Sequence, residues 1–341
     1  MAVAEEAVGS NRQDQVGEST RSGQVSPVPR PIYENITELI GNTPLLKLSN
    51  LDKPEGVNIY AKLEYDNPGG SVKDRVAQFM LRDAAASGKL APGGTIIEAT
   101  AGNMGLGIAT AAFGSGYRII FVVPTKFSAE KQSLMRALGA EVINTPRKEG
   151  MLGACRKVEE LLDEIPGSIS LKQFENLVNP LAHYATTGPE IYRDLAGKVD
   201  YFVAGAGSGG TFSGIVRYLK ERNPAIRGVL ADPVGSTIGG GEHGDYDIEG
   251  IGNDFTPATM DMSLVDQVIK VTDRDAVAVV KLLARQEAII AGSSSGAAVW
   301  ASLELANELV LLGVASAETP VNIVTVLPDR GDRYLSKGLF E

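Results

Sequence analysis

The chain has 341 residues, 43% hydrophobic and 22% charged, with 32 Lys and Arg against 42 Asp and Glu for a formal net charge of −10. That length suggests about two domains and a core large enough to fold unaided, while the acidic balance argues against a general nucleic-acid or membrane-surface binder. A single cysteine, Cys155, and two distant histidines, His183 and His243, exclude an internal disulfide and a cysteine-built zinc cage, and no apolar run reaches the roughly 20 residues of a membrane span.

Residues 1–30 are rich in Glu, Gln, Ser, Gly and Pro and read as a disordered extension, with neither a signal-peptide core nor transit-peptide character. Beyond them, β-rich runs at 57–63, 95–99, 118–123, 141–145, 201–204, 228–231 and 321–327 are expected strands. Helices are expected over 72–86, 103–113, 128–138, 153–164, 212–221, 273–287 and 295–312. Apolar strands alternating with helices predict the α/β class, with parallel-rich sheets covered by helices. The glycine-rich stretch 234–252 reads as a loop, and Trp300 and Cys155 as packing residues in helices.

In such folds ligands sit on the loops that follow strands. The clearest phosphate cradle is Gly205-Ala206-Gly207-Ser208-Gly209-Gly210-Thr211, between an expected strand and an expected helix. Its glycines let the backbone approach an anion, and the helix start favours negative charge. The same glycines satisfy G-x-G-x-x-G, and Asp232 follows 22 residues after Gly210. On spacing alone this keeps a nicotinamide-dependent oxidoreductase in contention.

A second constellation is Asn67-Pro68-Gly69-Gly70-Ser71-Val72-Lys73-Asp74-Arg75. Ser71 is a plausible cap, and Lys73 falls at the positive end of a helix, where a cation is disfavoured and a neutral, nucleophilic amine is favoured. A solvated charge run explains that segment equally well. A third, Glu98-Ala99-Thr100-Ala101-Gly102-Asn103-Met104-Gly105, offers amides for a carboxylate but taken alone reads first as a capped helix start. The fourth is Gly292-Ser293-Ser294-Ser295-Gly296, again before a helix.

Taken in order, these motifs resemble the cysteine synthase and cystathionine β-synthase family of pyridoxal-phosphate enzymes. The likeness runs from Ile40-Gly41-Asn42-Thr43-Pro44-Leu45 to Pro328-Asp329-Arg330-Gly331-Asp332-Arg333-Tyr334. It implies the tryptophan-synthase-β-like fold type II, with two lobes: 31–55 plus 182–341 as the larger, cofactor-binding lobe, and 56–181 as the smaller, substrate-loop lobe. Within the family, Thr145-Pro146-Arg147, Asp232-Pro233-Val234-Gly235-Ser236 and Glu249-Gly250-Ile251-Gly252-Asn253 are similar to the bacterial O-acetylserine-dependent cystathionine β-synthases.

The resemblance implies roles. Lys73 would bind pyridoxal phosphate covalently and then serve as acid and base at the substrate α-carbon. Gly207, Ser208, Gly209, Gly210 and Thr211 would hold the cofactor phosphate, Asn103 the ring oxygen, and Ser294 would face the pyridine nitrogen as a neutral partner. Thr100, Ala101, Gly102, Met104, Gln173 and Gly250 would receive the substrate. Met104 and Ala101 depart from the family's usual threonine and serine, which puts the preferred substrates in question. The implied reaction is β-replacement on an activated L-serine by a thiol, with homocysteine foremost and sulfide or another nucleophile as alternatives. A cytoplasmic homodimer acting on small molecules, without metal, nucleic acid or membrane, completes the expectation. The readings outside this chemistry are the nicotinamide oxidoreductase and a non-catalytic binding protein.

Overall fold

The computed structural model describes residues 32–125 and 127–341, so the extension expected over 1–30 lies outside the described residues. In chain order the elements are β1 (Leu45–Lys47), β2 (Val57–Leu63), α1 (Lys73–Ala86), β3 (Thr95–Ala99), α2 (Asn103–Ala111), β4 (Arg118–Pro124) and α3 (Ala129–Ala137). There follow β5 (Glu141–Thr145), α4 (Gly150–Glu164), α5 (Val178–Ala185), α6 (Thr187–Asp194), β6 (Tyr201–Ala204), α7 (Gly210–Arg222) and β7 (Arg227–Pro233). The last are β8 (Gln267–Val271), α8 (Asp273–Gln286), α9 (Ser293–Leu311) and β9 (Val321–Leu327).

The strands form two sheets. One has six strands in the order β1-β2-β9-β6-β7-β8, and the other three in the order β3-β4-β5. Every pairing is parallel except β1 with β2. Side-chain alternation explains why both faces are covered. In the larger sheet, Ile59, Ala61, Val203, Val229, Ala231 and Ile323 pack with α8 and α9. Their neighbours Phe202, Ala204, Leu230, Val324 and Val326 pack on the opposite face with α7. The smaller sheet repeats the pattern, with Ile96, Ile119, Phe121 and Val123 towards α1 and α2, and Ile97, Ile120 and Val122 towards α4.

The α/β class with helix-covered parallel sheets is what the sequence predicts, and the strand positions agree within a residue or two. The lobe boundaries cut differently. The strand 57–63, assigned to the smaller lobe by sequence, pairs residue for residue with β9 in the larger sheet, from Val57 with Val321 to Leu63 with Leu327. β1, β8, α5 and α6 were not expected. α6 opens Thr187-Gly188-Pro189, two poor helix formers, and α5 carries Pro180 in its first turn, where proline is tolerated but weakens the periodic signal. β8 is partly exposed along most of its length, so its apolar run is short. The segment 234–252 is a loop, as expected. Among the described residues no helix is long and apolar enough to cross a membrane.

Candidate active site

A cavity of about 760 Å³ opens where the carboxyl ends of β3, β6 and β9 meet the starts of α1, α2, α7 and α9. Lys73, Thr100, Ala101, Gly102, Asn103, Met104, Gln173, Gly207, Ser208, Gly209, Thr211, Gly250 and Ser294 all line it. Of the residues to which the resemblance gives a role, Gly210 alone stands behind the wall, as the first residue of α7.

Lys73 begins α1, and its N–H donates to Ser71 Oγ at 3.3 Å. The residues before it are tied to the end of β9: Val72 N–H donates to Pro328 O at 2.8 Å, and Ser71 bridges to Asp329. No carboxylate lies within ion-pair reach of its ammonium among the described residues. Burial lowers the pKa of the Lys73 amine, and the nearby Asp329 charge opposes that only in part. The neutral amine is therefore favoured, as a nucleophile or a base requires. The charge-run reading of this segment falls, because Asp74 and Arg75 are 0% and 1% exposed.

Gly107, on α2, makes this placement possible. A Cβ there would lie 2.8 Å from Lys73 O and 2.9 Å from Lys73 C. Gly107→Ala must therefore push α1 and α2 apart at Lys73 itself. Overpacking of this kind costs roughly 1–3 kcal/mol. The variant is expected to denature at lower urea and to hold less cofactor by visible absorbance; a midpoint and absorbance equal to the parent's would refute the contact.

The anion cradle is built by tight backbone packing. Gly209 has φ +81°, and Cβ atoms on Gly207 and Gly210 would fall 2.3 Å from Gly250 O and 2.1 Å from Asn179 Oδ1. The loop 250–253 lies over it, with Gly252 N–H donating to Ala206 O and Asn253 Nδ2 to Gly207 O at 2.6 Å. The first bond within α7 runs from Ser213 N–H to Gly209 O, so the N–H groups of Gly210, Thr211 and Phe212 have no partner within the helix. Such a terminus suits a phosphate.

Six residues at or around the site were given no role in it by sequence reasoning. Asn179, 1% exposed, donates through Nδ2 to Gln173 O and to Ser208 Oγ, both at 2.8 Å, and so couples the two loops. His183, set aside as structural or loop, is buried between Thr187 Oγ1 at 2.9 Å and Thr211 Oγ1 at 3.1 Å. Burial pushes its pKa down to about 3, so it is a neutral ring that braces the cradle. Asp329, 1% exposed, accepts from Asn103 Nδ2 at 2.6 Å and from the Tyr334 hydroxyl. Arg333 donates to Asn103 Oδ1 at 2.7 Å, which fixes the amide's orientation. Cys155, expected to be a packing residue, is exposed and on the cavity wall. Glu98 is the sixth, next to last in β3. For Asn179, His183 and Glu98 the local signal is a polar residue among apolar neighbours.

Comparison with known proteins follows the same line. The family model described as "Pyridoxal-phosphate dependent enzyme" matches residues 36–325. This chain belongs to that family. It is 53% identical over 310 residues to the O-acetylserine dependent cystathionine β-synthase of Bacillus subtilis (strain 168), covering 91% of this chain and 98% of that protein. It is 46% identical over 311 residues to a cysteine synthase of Helicobacter pylori, covering 91% and 99%. The crystal structure of the O-acetylserine dependent cystathionine β-synthase from Helicobacter pylori superposes with a TM-score of 0.84 at 45% identity, over 92% of this chain and all of that one.

The residues of the cavity fit pyridoxal phosphate. A cradle that any Cβ would fill, at a helix start, faces the same space as a lysine with no ionic partner. The nicotinamide reading loses its key acid: Asp232 is fully buried away from the cavity, with Oδ2 held by Lys270 at 2.6 Å and by Gly239 N–H at 3.0 Å. Among the described residues no group of three His, Cys, Asp or Glu side chains is arranged to hold a metal.

Proposed function

We propose that this pyridoxal-phosphate enzyme replaces the acetate of O-acetyl-L-serine with the sulfur of L-homocysteine, giving cystathionine. The observation that carries the reading is the 53% identity, over nearly the full length of both chains, to a relative bearing that name. The bound cofactor would supply the electron sink that makes the substrate α-proton acidic. In this reading the amides and hydroxyls of Gly207–Thr211 hold the phosphate. The Asn103 amide would hold the ring oxygen, and Ser294 would meet the ring nitrogen. Thr100, Ala101, Gly102, Met104 and Gln173 hold the substrate carboxylate, with Gly250 closing the far side.

The neutral Lys73 amine takes the proton from Cα, the Cβ–O bond breaks, and acetate leaves with the bonding pair. The homocysteine sulfur forms the new bond to Cβ after losing its proton, and Lys73 returns a proton to Cα. Cys155 takes no part. We place the enzyme in the cytoplasm as a homodimer, for which a solution mass near twice 35.9 kDa is expected.

Sulfide in place of homocysteine, giving cysteine, is the second reading, favoured by the 46% identity to a cysteine synthase. Steady-state rates with O-acetyl-L-serine and each acceptor decide between them. A higher kcat/KM for homocysteine supports the first reading; a higher value for sulfide replaces it with the second.

A further inference from the structure

The cavity runs past the carboxylate loop to a wall for which the reaction as described has no use. β3 ends there on Glu98, α4 brings Cys155 and Glu159, and Lys172 stands on the same wall. Glu98 is 8% exposed. Its Oε1 accepts from Ser170 Oγ at 3.0 Å, from Lys172 N–H at 3.1 Å and from Leu171 N–H. Three donors on one oxygen leave the other to something else. Oε2 has no partner among the described residues, yet it is not sealed in the interior, and Glu98 lines the cavity. A carboxylate left half-paired at such a wall carries a desolvation cost that a donor from a ligand would relieve. Burial raises its pKa, and the three hydrogen bonds and the Lys172 charge oppose that only in part.

We propose that this wall is the subsite for the amino-acid end of the thiol acceptor, with the α-ammonium on Glu98 Oε2, Glu159 adding negative charge and Lys172 meeting the carboxylate. The proposal rests on the β-replacement reading above and deepens it. A zwitterionic thiol gains a charge-assisted hydrogen bond here. Sulfide gains nothing, and as hydrosulfide it meets two carboxylates. The subsite therefore acts through discrimination between acceptors. It also gives a use to the length of a cavity larger than a cofactor and an alanyl group require.

The test pairs homocysteine with 4-mercaptobutanoate, which has the same skeleton without the ammonium. Both are assayed on the holoenzyme with O-acetyl-L-serine. The parent enzyme is expected to prefer homocysteine by about tenfold or more in kcat/KM, the worth of one hydrogen bond to a charged group. In Glu98→Gln the preference is expected to shrink towards unity. Glu98 also anchors the segment leading to Gln173, but displacement of that segment lowers both rates together and leaves their ratio unchanged. Glu159→Gln, on the exposed side of α4, is expected to shrink the ratio by a smaller factor, and it serves if Glu98→Gln does not fold.

A parent enzyme that uses both thiols equally, or a preference that survives both substitutions, overturns the subsite while leaving the reaction standing. Turnover with sulfide alone overturns the subsite together with the choice of homocysteine. Failure to release acetate from O-acetyl-L-serine with any acceptor overturns the β-replacement reading itself.

Discussion

Lys73→Ala is expected to abolish turnover, by about a thousandfold or more, and to remove the visible absorption of the lysine-bound cofactor. Lys73→Arg is expected to be as inactive, since a guanidinium stays protonated and cannot accept the α-proton. The circular dichroism of both variants is expected to match the parent's, because the Lys73 ammonium makes no ion pair in the fold. The position matters as much as the residue type. Pro328, Ser71 and Gly107 fix the backbone at Lys73, and Asp74, buried beside it, accepts from Gly69 N–H and pins the preceding turn. Activity in Lys73→Ala above a few percent of the parent's would move the acid-base role to another group, with Asp329 the nearest buried candidate.

The largest effect on stability is expected two residues further on. Arg75 is 1% exposed and forms a double fork. It meets Glu64 at 2.7 and 2.9 Å and Glu190 at 2.6 and 2.7 Å. Lys62, fully buried, pairs with Glu190 at 2.9 Å and donates to Thr43 O at 2.6 Å. The backbone of Gly41 and Asn42, both at positive φ, folds over the same cluster: Asn42 N–H donates to Glu190, and Gly41 N–H to Asn67 Oδ1. Arg75→Met would strand the buried Glu64 carboxylate, leave Glu190 with Lys62 as its remaining cation, and is expected to cost about 3–5 kcal/mol in urea denaturation. A loss below about 1 kcal/mol would mean that water reaches these carboxylates.

The same network sets an acid limit. Burial works to raise the pKa of Glu190, but the hydrogen bonds and charge of Arg75, with Lys62, bring it down to about 2. A carboxylate whose folded pKa lies below its unfolded value of 4.5 stabilises the fold fully above pH 4.5, and that contribution is lost as the pH falls towards 2. The contribution is on the order of 3 kcal/mol. Arg75→Met is expected to flatten this limb of the stability profile, which denaturation at a series of pH values would show.

The sequence by itself determined the fold class, the strands at the heart of both sheets, and the four small-residue turns that lead into helices at the cavity. These are local properties. A short continuous apolar run bounded by turn residues announces a strand buried on both faces, and a glycine-rich turn between such a run and a helix announces an anion cradle. Gly207 was legible in that way, whereas Lys73, Asn103 and Ser294 were legible through the resemblance that the order of their motifs carries.

What only the tertiary structure decided is the company these residues keep. Glu190 reaches Arg75 across 115 positions, Asn179 reaches Ser208 across 29, and Glu98 reaches the backbone at 170–172 across more than 70. Nothing in a local window marks such a polar residue as a partner rather than as solvated surface. Its pairing costs are met only once the sheets and helices have closed around it. The strand 57–63 was placed with the smaller lobe on the same account: its alternation marks a strand with a buried face, while its pairing is with β9 in the larger sheet, more than 250 residues away.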